Sequence, residues 1–143
     1  MRKIINGGVD LSAFHLTELL DISDVVVDGY FHCTDNYLTS LKGCPISVIG
    51  SLYCCHNNLT SLEGAPQTVG LFFNCYDNNL TSLKGAPQTV GDTFDCRENP
   101  LTSLEGIPTS IGSHFFIDKS LKDKFPEEYI RSLSKIKGLV LFA

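Results

Sequence analysis

No segment of this 143-residue chain is apolar for long enough to span a bilayer. The opening Met-Arg-Lys-Ile-Ile-Asn-Gly-Gly also lacks the apolar run of a secretory signal. A cytoplasmic location is the expectation, with no membrane partner. Positive charge is scarce: 11 Lys and Arg stand against 16 Asp and Glu, a net charge of -5. That balance argues against holding a nucleic-acid backbone and steers toward a basic partner. A Gly-rich phosphate loop is missing and no Ser/His/Asp set is legible, so the chain is not expected to be an enzyme and no cofactor is implied.

What the chain does have is repetition. Leu38, Leu59, Leu80 and Leu101 fall 21 residues apart, and so do Leu41, Leu62, Leu83 and Leu104. Gly43, Gly64, Gly85 and Gly106 follow two residues later, then Pro45, Pro66, Pro87 and Pro108. Upstream in each unit stand Asn36, Asn57, Asn78 and Asn99, Cys33, Cys54, Cys75 and Cys96, and Phe31, Leu52, Phe73 and Phe94. A fixed period of this length marks a solenoid, whose units bury their apolar faces only by stacking. Alternation around each cysteine, as in Phe73 in, Asn74 out, Cys75 in, Tyr76 out, predicts a short strand. Successive strands then form a parallel sheet. The asparagine amide is placed to bond the backbone of its turn and of a neighbouring rung.

Six cysteines would suit a disulfide scaffold, but four of them occupy one repeat column. Side chains in such a column run parallel instead of facing each other, so the expectation is free, buried thiols in a reducing compartment. Lys42, Glu63, Lys84 and Glu105 alternate in sign along another column, an order that attracts between stacked rungs.

The run Phe73-Asn-Cys-Tyr-Asp-Asn-Asn-Leu-Thr-Ser-Leu resembles the leucine-rich repeat consensus, and the resemblance covers roughly residues 25 to 120. The Gly-x-Pro that follows is similar to the short bacterial type, whose convex side is extended, and the wording L-T-S-L-x-G-A-P-x-T-V-G looks like repeats of large bacteriophages. The resemblance implies an α/β-type repeat solenoid with about five parallel strands on one face and an extended convex side. It says little about function, because such repeats bind many unrelated things. Cys33-Thr-Asp35 also resembles the Cys-x-Asp motif of bacterial leucine-rich ubiquitin ligases, but there the motif lies in a separate helical domain, and here Cys33 belongs to the core column. Cys54-Cys55-His56 with His32 on the adjacent rung invites a metal reading, yet alternation turns Cys54 inward and leaves an incomplete set, so no metal site is expected.

Both ends depart from the period. Leu16, Leu19 and Leu20 share a face between Asp10 and Asp21 and predict a short helix, making residues 1–24 an N-terminal cap. Phe115 and Ile117 continue the register as a fifth rung. Beyond it, residues 121–143 read as a capping helix and tail, with Pro126, Glu127 and Glu128 in the first turn, Tyr129, Ile130, Leu133 and Ile136 at helical spacing, and Gly138 as the stop. The apolar tail 139–143 covers the solenoid end or serves as a homo-oligomer contact.

Function is sought where the columns stop repeating. The outward columns read Tyr30, Ser51, Phe72, Thr93, His114; then His32, Tyr53, Asn74, Asp95, Phe116; then Thr34, Cys55, Tyr76, Arg97, Asp118; then Asp35, His56, Asp77, Glu98, Lys119. Folding alone leaves such a face polar, whereas this one carries aromatics and an arginine, the residue types of binding hot spots. Tyr30, His32, Tyr53, His56, Phe72, Asn74, Tyr76, Asp77, Asp95, Arg97, Glu98 and Phe116 are therefore the candidate partner-binding residues. The leading expectation is a non-enzymatic protein-interaction module, phage-encoded, that binds or inhibits a host bacterial protein. Two alternatives stand beside it: a sponge or sensor for a small, nucleotide-like ligand, and an assembly component that oligomerises through its ends.

Overall fold

A strand of two residues has no stability of its own and persists only where equivalent rungs stack on it. The computed structural model describes residues 2–143 and shows seven such coils, wound as a parallel β-solenoid. Each coil gives one strand to each of two sheets. In chain order they are β1 (Lys3–Asn6) and β2 (Val9–Asp10), β3 (Val25–Asp28) and β4 (Phe31–His32), β5 (Ser47–Val48) and β6 (Leu52–Tyr53), and β7 (Thr68–Val69) and β8 (Phe73–Asn74). Then come β9 (Thr89–Val90) and β10 (Phe94–Asp95), β11 (Ser110–Ile111) and β12 (Phe115–Ile117), and β13 (Lys135–Ile136) and β14 (Val140–Phe142). The odd-numbered strands make one seven-stranded sheet and the even-numbered strands the other. A third side, built on the L-T-S-L segments, carries no regular strand but still joins rung to rung. Its Leu41, Leu62 and Leu83 amides donate to the Glu63, Lys84 and Glu105 carbonyls at 3.0, 3.0 and 2.9 Å.

The repeating columns fill the interior. Phe31, Leu52, Phe73, Phe94 and Phe115 stack as one fully buried row, Cys33, Cys54, Cys75 and Cys96 as the next, and Val27, Val48, Val69 and Val90 face them from the opposite sheet. All six cysteines are free and buried. Burial pushes their thiols up, Cys33 to about 12, which keeps them protonated and inert as nucleophiles. The asparagines form the buried polar ladder. Asn78 Nδ2 donates to the Cys54 and Cys75 carbonyls at 3.0 and 3.1 Å, while its Oδ1 accepts from Leu59 N–H at 3.0 Å. Asn57 and Asn99 repeat this pattern, so each amide staples its own turn to the rung before it. Rungs pass so closely at the Gly column that a Cβ on Gly64, φ +91°, would lie 2.4 Å from Leu41 C.

Several sequence expectations are corrected here. The architecture is not α/β with five strands: the convex wall is itself a sheet, and seven coils stack instead of five. Among the described residues no helix caps the N-terminal end. Residues 3–24 form a first coil, in which Leu16 N–H donates not to a helical carbonyl but to Asn36 Oδ1, at 2.8 Å across to the second coil. The coil is offset by 22 residues, with Lys3 opposite Val25 and Val9 opposite Phe31. At the other end a helix does form, α1 (Glu127–Leu133), but it stops before Ile136. Glu127 and Glu128 supply its acidic first turn, and Pro126 is its N-cap residue. It is an insertion that stretches the last offset to 25 residues, after which β13 and β14 resume the ladder. Arg131 pins it there, donating to Glu127 Oε1 at 2.9 Å, to the Ile136 carbonyl at 2.9 Å and to the Gly138 carbonyl at 2.7 Å. Among the described residues no ion pair within 4.0 Å links Lys42, Glu63, Lys84 and Glu105, so their alternation adds no direct contact.

Candidate functional site

The even-numbered sheet presents the varied columns to solvent, because its period-2 alternation sends the Phe and Cys columns inward. Tyr53 stands one rung above His32 and directly opposite Asn74, with Asp95 and Phe116 following in register. The structure joins most of the candidate residues into one continuous cluster on this face. At its centre the Arg97 guanidinium lies between two rings, 4.8 Å from the Phe116 centroid and 5.6 Å from that of Tyr76. It is held there by a two-point pair with Asp95, Nε to Oδ1 at 3.0 Å and Nη2 to Oδ2 at 2.7 Å. The same Oδ1 accepts the Arg97 backbone N–H at 3.0 Å. Asp95 is only 9% exposed, so this fork is fixed in place, and the hydrogen bond to Asp95 raises the Arg97 pKa further above its ordinary value.

The cluster extends toward the N-terminal coils. His56 meets Tyr76 edge-on at 5.7 Å between centroids, and its Nδ1 lies 2.7 Å from Asp77 Oδ2. His32 meets Tyr53 in the same way at 5.5 Å. Beside the Arg97 stack a cavity of about 250 Å³ opens, walled by Tyr53, Phe72 and Phe116 with Asn74, Thr93 and Asp95 at its polar side. Asn74 Oδ1 accepts from the Tyr76 N–H at 3.0 Å, and among the described residues its Nδ2, beside the cavity, donates to no protein acceptor. A preformed apolar notch flanked by a fixed cation and an amide donor is built to take an apolar group with a carbonyl or carboxylate next to it.

Two candidate residues lie outside the cluster. Tyr30 packs its ring over Gly8, where an added Cβ would meet it at 2.2 Å, and so lies toward the first coil. Glu98 is exposed at the corner, where its N–H donates to the Asp118 carboxylate at 3.0 Å. The fourth column is in fact a corner column: Asp35, His56, Asp77 and Glu98 all have positive φ, between 52° and 57°. Ser51, Thr93, Thr34 and Cys55, which alternation places outside, are buried at 7 to 9% exposure. Two exposed residues escaped the sequence reading, Leu71 at 49% and Ile49 at 54%, both on the corner beside Phe72. An apolar residue in an otherwise Gly and polar corner was the signal for them.

Among the described residues, no group of three or more His, Cys, Asp or Glu side chains is arranged to hold a metal ion. Among the described residues no helix is long and apolar enough to cross a membrane. No protein-family model matches the chain, no curated protein matches it, and no solved structure matches it.

Proposed function

We propose that the chain is a non-enzymatic interaction module that captures a peptide or protein segment on the outward face of its even-numbered sheet. The observation that carries this reading is the Tyr76–Arg97–Phe116 stack beside the Tyr53/Phe72/Phe116 cavity. Immobilised aromatics next to a fixed guanidinium lose little entropy on binding, which is how hot spots concentrate affinity. Seven rungs spaced about 4.8 Å give a face on the order of 30 Å long, room for a single extended segment or a protein edge. The resemblance of its repeats to the short bacterial and bacteriophage type supports a cytoplasmic host protein as the partner, held or inhibited by occlusion.

A small-ligand sponge is the second reading, favoured by the same cavity. Its volume of about 250 Å³ supports the peptide reading over this one, since sites that enclose a drug-sized ligand run from about 300 to 1,000 Å³. A leucine, phenylalanine or methionine anchor from a partner chain fits better.

The test is comparative capture from bacterial lysate. A triple variant Tyr53→Ser, Tyr76→Ser, Arg97→Gln is expected to lose the captured protein while keeping the wild-type melting curve. A control pair on the third side, Lys84→Ser with Glu105→Ser, is expected to keep it. Retention by the triple variant, or loss by the control, overturns the assignment of the face.

A further inference from the structure

The first coil has a bare cross-section. Ile5, Val9, Leu11 and Leu16 continue the interior columns of Val27, Phe31, Cys33 and Leu38, yet none is fully buried, and Ile5 is 36% exposed. Ile4, Phe14 and Leu20 on the same coil are 59, 64 and 79% exposed. Solenoid ends in this condition are normally covered by a polar cap.

The backbone pattern shows what completes such an end. In the even-numbered sheet the inward residues donate forward: Phe31 N–H to Ser51 O at 2.9 Å, Cys33 N–H to Tyr53 O at 2.8 Å, Phe115 N–H to Leu139 O at 2.9 Å. By register, Val140 and Phe142 are the inward residues of the seventh coil, and their N–H groups project past the last rung. At the other end, Val9 N–H reaches Tyr30 O at 2.8 Å and Leu11 N–H reaches His32 O at 2.7 Å. The equivalent carbonyls of the first coil, Gly8 and Asp10, project backward in the same spacing. One end therefore offers donors where the other offers acceptors, in one strand direction and one register.

Charge runs the same way. Residues 1–24 hold Arg2 and Lys3 against Asp10, Glu18, Asp21 and Asp24, a side-chain net of -2. Residues 119–143 hold Lys119, Lys122, Lys124, Arg131, Lys135 and Lys137 against Asp123, Glu127 and Glu128, a net of +3. Two N-terminal ends meeting each other would oppose like charges, whereas an N-terminal end meeting a C-terminal end joins opposite ones. We infer that the occupant of the bare first coil is the seventh coil of a second copy, stacked head to tail so that β14 of one chain continues into β2 of the next. Such a contact is heterologous and leaves a free end on each side, so it propagates into short linear stacks.

The test is the mass in solution, by sedimentation and light scattering across a concentration series. Wild type is expected to grow beyond the single-chain 15.7 kDa as concentration rises, and to shrink again in high salt. Ile5→Asp breaks the acceptor end and Phe142→Pro removes a forward donor, so each alone is expected to be monomeric. Mixed one to one, the two are expected to form a dimer and nothing larger, since each retains one intact end. Lys135→Glu with Lys137→Glu changes only exposed residues and is expected to weaken stacking at least tenfold; it decides the matter should Phe142→Pro unfold. A wild-type chain that stays monomeric to millimolar concentration overturns the inference. So does a dimer that survives the charge reversal, which marks two N-terminal ends in contact.

Discussion

Asn78→Ala removes one side chain and takes a hydrogen bond from each of three backbone groups. Asn78 is 5% exposed, and the groups it serves are the Leu59 N–H and the Cys54 and Cys75 carbonyls, at 3.0 to 3.1 Å. A buried polar group left without a partner costs about 1–3 kcal/mol. The two carbonyls lose one of two lone-pair contacts and fall at the low end, so the sum is about 3–4 kcal/mol. For a chain of this size about 1 kcal/mol shifts Tm by roughly 3 °C, giving a fall of about 10 °C. Urea unfolding followed by far-UV circular dichroism measures the loss, and amide exchange locates it: protection of the Leu59 N–H is expected to collapse more than that of its neighbours. Asn36→Ala provides the internal contrast. Its Oδ1 ties Phe14 and Leu16 of the first coil, which can fray without unfolding the rest, so a smaller loss of about 1–2 kcal/mol is expected. An Asn78→Ala loss under about 1 kcal/mol, or equal effects at the two sites, would falsify the ladder as a main source of rung-to-rung stability.

Gly64→Ala is expected to cost more than about 3 kcal/mol in urea unfolding, because it combines a φ of +91° with a Cβ 2.4 Å from backbone; a loss below about 1 kcal/mol contradicts the close approach of rungs. Glu98→Asn is expected to be neutral or to stabilise by about 0.5–1 kcal/mol, since Asn tolerates the left-handed φ of 56° better, and a clear loss in the same assay counts against that source of strain. The thiol pKa values are raised by burial, Cys33 to about 12, so the folded state holds protons that the unfolded state releases from about pH 9 upward. Stability from this source is complete below pH 8 and declines between pH 9 and 12, visible as a falling urea midpoint from pH 8 to 10; a flat profile refutes it. Native protein is expected to resist thiol-labelling reagents at pH 8 and to react at all six cysteines in denaturant, counted by mass.

The period was legible because identical columns have identical jobs. The Phe, Cys, Asn and Leu columns line the interior, and four copies make the pattern unmistakable. The ends were not legible for a physical reason. Leu16 and Leu19 are equivalents of Leu38 and Leu41, but a Leu-x-x-Leu spacing seen once matches one helical turn as well as it matches the third side of a coil. A one-residue lengthening of the first coil hid the relation, and a helix inserted before β13 hid it again at Ile136. The second sheet was missed because strands such as Thr68–Val69 are too short to show alternation. On the face, the sequence placed Tyr53, Tyr76, Arg97 and Phe116 on adjacent rungs, but nothing in it sets the Arg97 side chain between two rings. That depends on Asp95, two residues earlier on the same rung, whose buried carboxylate holds the guanidinium by a two-point pair that the sequence does not reveal. Tyr30 was drawn off by the absence of a side chain at Gly8, a neighbour 22 residues earlier in the chain.

The central claim is that repeating columns fold the protein and the varied face of the even-numbered sheet binds. Amide exchange of the chain with and without its captured partner tests it most directly. Slowed exchange confined to 53–56, 74–77, 95–97 and 116 is the predicted footprint. A footprint on the odd-numbered sheet, or on the third side, contradicts the claim outright.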